Sequence, residues 1–174
     1  VLYWMQQAQR SHDNPALETA VQRANALGLP VLVAFALDAA YPGANLRHFA
    51  YLVAGLADVH AGLAARGIGF VVRFGSPPEV ALTLARNAAM VVLDRGYLRH
   101  QRAWRRRVAA EAPIRVEEVE GEIVVPVELA SQKREWAART LRPKIWREVE
   151  ALLTVPEAIK VEVPSLDLDP GDDL

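Results

Sequence analysis

Cysteine is absent from the 174 residues. That excludes disulfides and thiolate metal sites and makes a reducing compartment, the cytoplasm, the simplest expectation. No apolar run is long enough to cross a bilayer, so no membrane partner is expected. The opening "VLYWM" lacks a basic flank and does not read as a signal peptide. No glycine-rich phosphate loop follows a strand signal: "RGIGF" contains Gly-x-Gly but precedes an apolar run, where it stops a helix. There is no Walker lysine and no Gly-x-Ser-x-Gly elbow, which argues against self-sufficient nucleotide hydrolysis and esterase chemistry. The four histidines, His12, His48, His60 and His100, lack ligand spacing, so no metal is expected. No residue stands out as catalytic.

What is present suits one folded domain. Hydrophobic residues make up 52%, enough for a sizeable core, and charged residues 24%, which argues against wholesale disorder. The net charge of -1 conceals an asymmetry. Residues 155–174 carry six acids and one base, leaving the preceding body basic by about four charges. Residues 1–154 are therefore expected to fold, and 155–174 to form an acidic linker. The chain opens in a strand and ends in that tail, as a part of something longer would.

Four apolar runs read as buried strands: residues 1–5, 30–37, 68–74 and 89–94. They are nearly continuous rather than alternating, as in strands covered on both faces. Residues 114–120, "IRVEEVE", alternate and read as a half-exposed edge strand, with "EIVVPVEL" (122–129) continuing it. Helical patterns lie between. The first is capped by Asp13 or Asn14, opened by Pro15 and stopped near Gly28. The second spans about 45–66 with Leu46, Phe49, Leu52, Val53, Leu56, Val59 and Leu63 on one stripe. A third runs over 77–87 with Ser76 as cap, a fourth over 98–111, and a basic, aromatic last one over 131–153, where Pro143 predicts a kink. Alternating strands and helices imply right-handed crossovers: an α/β fold, a Rossmann-like three-layer sandwich around a five-stranded, mostly parallel sheet.

In such sheets ligands bind beyond the carboxyl ends of the strands. Those ends carry Gln6, Gln7 and Arg10 after the first strand, Asp38 after the second, and Asp94 with Arg95 after the fourth. Asp38 and Asp94 suit either a site or a helix cap. Arg10 suits either a ligand or a turn closed with Asp13. Arg95, Arg99, Arg102 and Arg106 share a helix face, which suits phosphates or simply water. Trp136 and Trp146 suit either this domain's own core or packing on a further domain.

Resemblance adds to this. "WMQQAQRSHDNPAL", through Arg10, Asp13, Asn14, Ala16 and Leu17, resembles the first strand and loop of the DNA photolyase and cryptochrome family. "VVRFGSPPEVALTLA" is similar to its third strand and Gly-x-Pro turn, and "VVLDRGYLRHQRAW" to its next strand and arginine-bearing helix. "VVPVELASQKREWAARTLRPKI" resembles a stretch of class II cyclobutane pyrimidine dimer photolyases. It matches at Val125, Pro126, Ala130, Ser131, Lys133, Glu135, Ala138, Arg139, Thr140, Arg142, Lys144 and Ile145. Where that family has Asp-x-His-Asn, this chain has Glu120, Gly121, Glu122 and Ile123.

The resemblance implies the amino-terminal, antenna-type domain of a lyase that repairs DNA. A deazaflavin, folate or flavin antenna would sit at this domain, with Gln6, Gln7, Arg10, Asp38, Asp94 and Arg95 as candidate cofactor-binding residues. The catalytic FAD would lie in a carboxy-terminal helical domain absent from this chain, and damaged DNA would be the partner of the whole. A free-standing nucleotide- or flavin-binding module and a protein-interaction domain are the alternatives.

Overall fold

The computed structural model describes residues 1–155 and 157–170. Strands β1 (Leu2–Met5), β2 (Leu32–Leu37), β3 (Gly69–Phe74), β4 (Met90–Asp94) and β5 (Arg115–Val119) form one sheet in the order β3-β2-β1-β4-β5, every neighbouring pair parallel. Central β1 sets the register, with Leu2 opposite both Leu32 and Val91. The chain reverses direction across the sheet between β3 and β4, which puts the topological switch between β1 and β4.

Alternation along each strand feeds two cores. Tyr3 and Met5, Val33 and Phe35, and Met90 and Val92 point to one face. There α1 (Pro15–Leu27) and α2 (Leu46–Ala65) supply Leu17, Val21, Val59 and Leu63. Leu2, Trp4, Ala34, Val91 and Leu93 point to the other. There α3 (Pro77–Ala85) and α4 (Arg99–Glu111) supply Val80, Leu84, Trp104 and Val108. Burial on both faces is why these strands lack a polar alternate, and each fully buried large aliphatic contributes roughly 1.5–3 kcal/mol. The edge strand β5 is half-exposed as expected, but without strict alternation: Arg115 and Glu118, on opposite faces, are exposed, and Val116 and Val119 pack on the two cores.

Helix α2 departs instructively from its stripe. Leu56, Val59 and Leu63 are buried, but Leu46 is 84% and Val53 53% exposed. Twenty helical residues span about 30 Å, against roughly 20 Å for a six-residue strand, so the first turns of α2 overhang the sheet.

Three expectations change. The reading of 122–129 as strand fails: Pro126 opens the short helix α5 (Val127–Ala130) instead. The last helix, α6 (Ala138–Leu152), begins seven residues later than the composition suggests. Ser131 adopts extended backbone, and the 131–137 segment folds back so that Lys144 Nζ reaches Glu135 Oε1 at 2.6 Å and Ser131 Oγ at 3.1 Å. Pro143 is accommodated inside α6. Ser76 precedes α3 without a side-chain cap bond; Pro77 and Pro78 carry no N–H, so the first turn has fewer donors to satisfy.

The described part of the tail is a strap rather than a free linker. Glu18 and Arg66 form a two-pronged pair at 2.7 and 2.9 Å, and together they hold the backbone of Ile159. Asn25 bonds Lys160 O and the Glu162 N–H. Ser165 Oγ accepts the Gly69 N–H at 2.7 Å and donates to Val31 O at 2.5 Å. A Cβ on Gly69 would lie 2.6 Å from Ser165 O, so only glycine admits the strap there. Residues 171–174 of the expected linker lie outside the described residues.

Candidate functional site

The loop after β1 is built around two buried polar side chains. Asp94, at the end of β4, accepts backbone N–H groups from Gln6 (3.1 Å), Gln7 (2.7 Å) and Ala8 (2.7 Å). Burial pushes its carboxyl above the ordinary range, and those backbone donors pull the other way. The Tyr3 hydroxyl lies against it, and burial, then the Asp94 charge, raises the phenol well above its usual value. Asn14 is the actual cap of α1: its Oδ1 accepts the Leu17 N–H, while Nδ2 donates to Ala8 O and Arg10 O. Asp13 adopts φ 47° and turns the chain into that cap. The switch crevice between β1 and β4 is thereby closed by the protein's own carboxylate.

The open cavity lies one strand over, beyond the carboxyl ends of β1 and β2, with a volume of about 430 Å³. That is in the range of small-molecule sites. Trp4, Met5, Gln6 and Gln7 form one wall, and Phe35 to Asp38 another. The 41–44 loop and the overhanging first turns of α2 (His48, Phe49, Leu52) roof it. Asp38 Oδ1 accepts the Ala40 N–H at 2.8 Å and so fixes the turn into that loop. Asn45 caps α2 and holds the roof helix in place. Two donors of residues that line the cavity, Trp4 Nε1 and Gln6 Nε2, are buried without a hydrogen-bond partner among the described residues. A buried donor left unsatisfied costs about 1–3 kcal/mol, so it signals either strain or a missing acceptor.

The sequence-chosen residues therefore separate. Gln6, Gln7 and Asp38 line the cavity. Arg10 does not: it donates to Asp13 O and Gly121 O and pairs with Glu122 at 3.1 Å, tying the first loop to the 120–122 turn. Asp94 faces the backbone donors described above. Arg95 points along the sheet edge to Glu118 and Glu128, and these carboxylates raise its pKa. Sequence reasoning marked the 37–45 segment as a sheet-end loop but did not single out Trp4, Phe35, Tyr41 or Phe49. A bulky aromatic at the last inward position of a central strand was the available signal for Trp4.

Fold and cavity together define a parallel α/β sandwich with a ligand-sized crevice at its carboxyl edge. Comparison with known proteins narrows this. The family profile of DNA photolyase matches residues 1–164. The chain is 44% identical over 171 residues, 98% of its length, to the deoxyribodipyrimidine photo-lyase of Methanothermobacter thermautotrophicus, of which it covers 38%. A Synechocystis cryptochrome has the same fold, with TM-score 0.74 and 17% identity over 95% of this chain and 36% of that one. So does an archaeal photolyase from Sulfolobus tokodaii, with TM-score 0.69 and 16% identity over 90% and 35%. The chain belongs to the DNA photolyase family. It spans well under half the length of the relatives it matches, corresponding to their amino-terminal part.

Proposed function

We propose that this chain is the antenna-holding half of a light-driven lyase that splits cyclobutane pyrimidine dimers in DNA. The ligand-sized cavity at the carboxyl edge of the sheet, lined by Trp4, Phe35, Tyr41 and Phe49, carries the reading, and the unpartnered donors of Trp4 and Gln6 support it. Trp4 Nε1–H and Gln6 Nε2–H would donate to the carbonyl or ring-nitrogen acceptors of a flat heteroaromatic chromophore. Phe35, Phe49 and Leu52 would hold its apolar body, and the roof loop would limit access of water. A flavin, deazaflavin or folate antenna has that shape and acceptor set. When bound, such a group would supply absorbed light energy to the FAD expected in the remaining, helical part of the enzyme. The Sulfolobus neighbour is described as holding two FAD molecules, with a novel light-harvesting cofactor implied.

The partner half would meet α6. Trp136 and Trp146 are 81% and 67% exposed, so neither fills this domain's core. No residue of α6 is buried. That apolar helix face is left for the helical FAD domain, and the whole would work in the cytoplasm on damaged DNA.

The test is retention of chromophore by the 174-residue chain after gel filtration, using flavin mononucleotide, FAD, a deazaflavin and a reduced folate in turn. We expect one of them to co-elute near one per chain and Gln6→Leu to weaken its binding about tenfold, the worth of one buried hydrogen bond. Retention of adenine nucleotides with none of the four chromophores would favour a nucleotide-binding module instead.

A further inference from the structure

A second concavity, about 570 Å³, lies at the β5 edge between α4 and the 127–134 segment. It shares no wall residue with the chromophore cavity. Six cations line it, Arg95, Arg102, Arg105, Arg106, Lys133 and Arg134, against two carboxylates, Glu118 and Glu128. Those carboxylates are already engaged: Glu118 by Arg95 and Arg105, Glu128 by Arg95. Among the described residues, none of Arg102, Arg106, Lys133 or Arg134 has a carboxylate within ion-pair distance.

This arrangement is not what a merely solvated face looks like. Arg102 and Arg106 stand one turn apart on α4, a like-charge spacing that weakens a helix by a few tenths of a kcal/mol. Lys133 and Arg134 face them from a segment pinned by the Ser131–Glu135–Lys144 bonds. Arg134 is steadied by stacking, its guanidinium carbon 4.1 Å from the Trp136 ring centroid, and so keeps its full charge for a partner. The chain's own acidic strap offers no neutralisation, because none of its described residues lines this groove.

We infer that this groove binds the phosphodiester backbone of DNA, giving this half of the molecule a direct, sequence-independent grip on the substrate. The charge pattern calls for a polyanion, and family membership selects DNA among polyanions. The inference does not depend on what occupies the cavity, so failed chromophore retention leaves it standing.

The experiment is fluorescence anisotropy of a labelled, undamaged 20-base-pair duplex titrated with the 174-residue chain between 50 and 200 mM salt. Arg102→Ala combined with Arg106→Ala should weaken binding at least tenfold and lower the salt slope by about two. Arg86→Ala, an exposed cation just past the end of α3, should leave both unchanged. Both arginines are exposed and unpaired, so circular dichroism should report an intact fold. Equal affinity of parent and double variant would overturn the inference, as would absence of binding by the parent at 50 mM salt. Binding of poly-glutamate as tight as that of the duplex would overturn it in favour of an acidic protein segment.

Discussion

Leu63 and Trp146 are both large apolar residues on long helices, yet Leu63 is wholly buried and Trp146 is 67% exposed. The difference lies in what each helix was given to cover. Helix α2 sits over a sheet face whose inward positions are all apolar, so its stripe completes a core. Helix α6 follows the sheet's polar edge strand, and its main contacts are with the short helix α5 and the 131–135 segment. The first region closes its own core, while the second leaves its apolar residues, Trp146 among them, exposed.

Substitutions can break this contrast. The largest effect is expected at Asp94→Ala, which orphans the backbone donors of residues 6–8. We expect a loss of about 3–5 kcal/mol and a fall in melting temperature of roughly 10 °C, read by calorimetry. Leu63→Ala should cost about 2–5 kcal/mol through the cavity it leaves. Gly69→Ala comes next: its Cβ collides with Ser165 O, so we expect a loss of about 1–3 kcal/mol and new proteolytic cuts after residue 157. Trp146→Ala should change the stability of this chain by less than about 0.5 kcal/mol, since little is buried there. The same substitution in the longer enzyme should be clearly destabilising, which would locate the missing partner on α6.

The smallest effect sharpens the account of the 131–144 elbow. Bonds from Lys144, Thr140 and Ser131 lower the Glu135 carboxyl to about 2. Because the folded value lies below the usual one, the stabilisation is full above about pH 4.5 and is lost as pH falls toward 2. A ¹³C-carboxyl titration should place Glu135 there, and Lys144→Met should move its midpoint back toward the ordinary carboxylate range.

The sheet was legible because continuous apolar runs read as strands; β1, β2 and β4 are covered on both sides as expected, whereas β3 lies at the sheet's edge and is only half-buried. The strand ends followed from it, and with them Gln6, Gln7 and Asp38. What could not be read was direction. Nothing in "DR" says that Asp94 turns inward to the β1 loop while Arg95 runs outward to Glu118. That depends on the register of β4 between β1 and β5, a tertiary fact. Arg10 was equally opaque, because its partners at 121–122 lie more than a hundred residues away. The late start of α6 was hidden for the opposite reason. Ser131 and Glu135 have the i, i+4 spacing of a helix, but Lys144, nine residues after Glu135, would face the opposite side of a continuous helix and bonds both only with the segment folded back.

The central claim is that the β1–β2 cavity presents Trp4 and Gln6 to a chromophore. Its most direct test is the indole N–H resonance of Trp4 in ¹H–¹⁵N spectra, followed as the retained chromophore is added. A new hydrogen bond should shift that resonance downfield while the Trp136 and Trp146 signals stay fixed. A Trp4 signal unmoved at saturation, with shifts at Trp136 and Trp146 instead, would contradict the account.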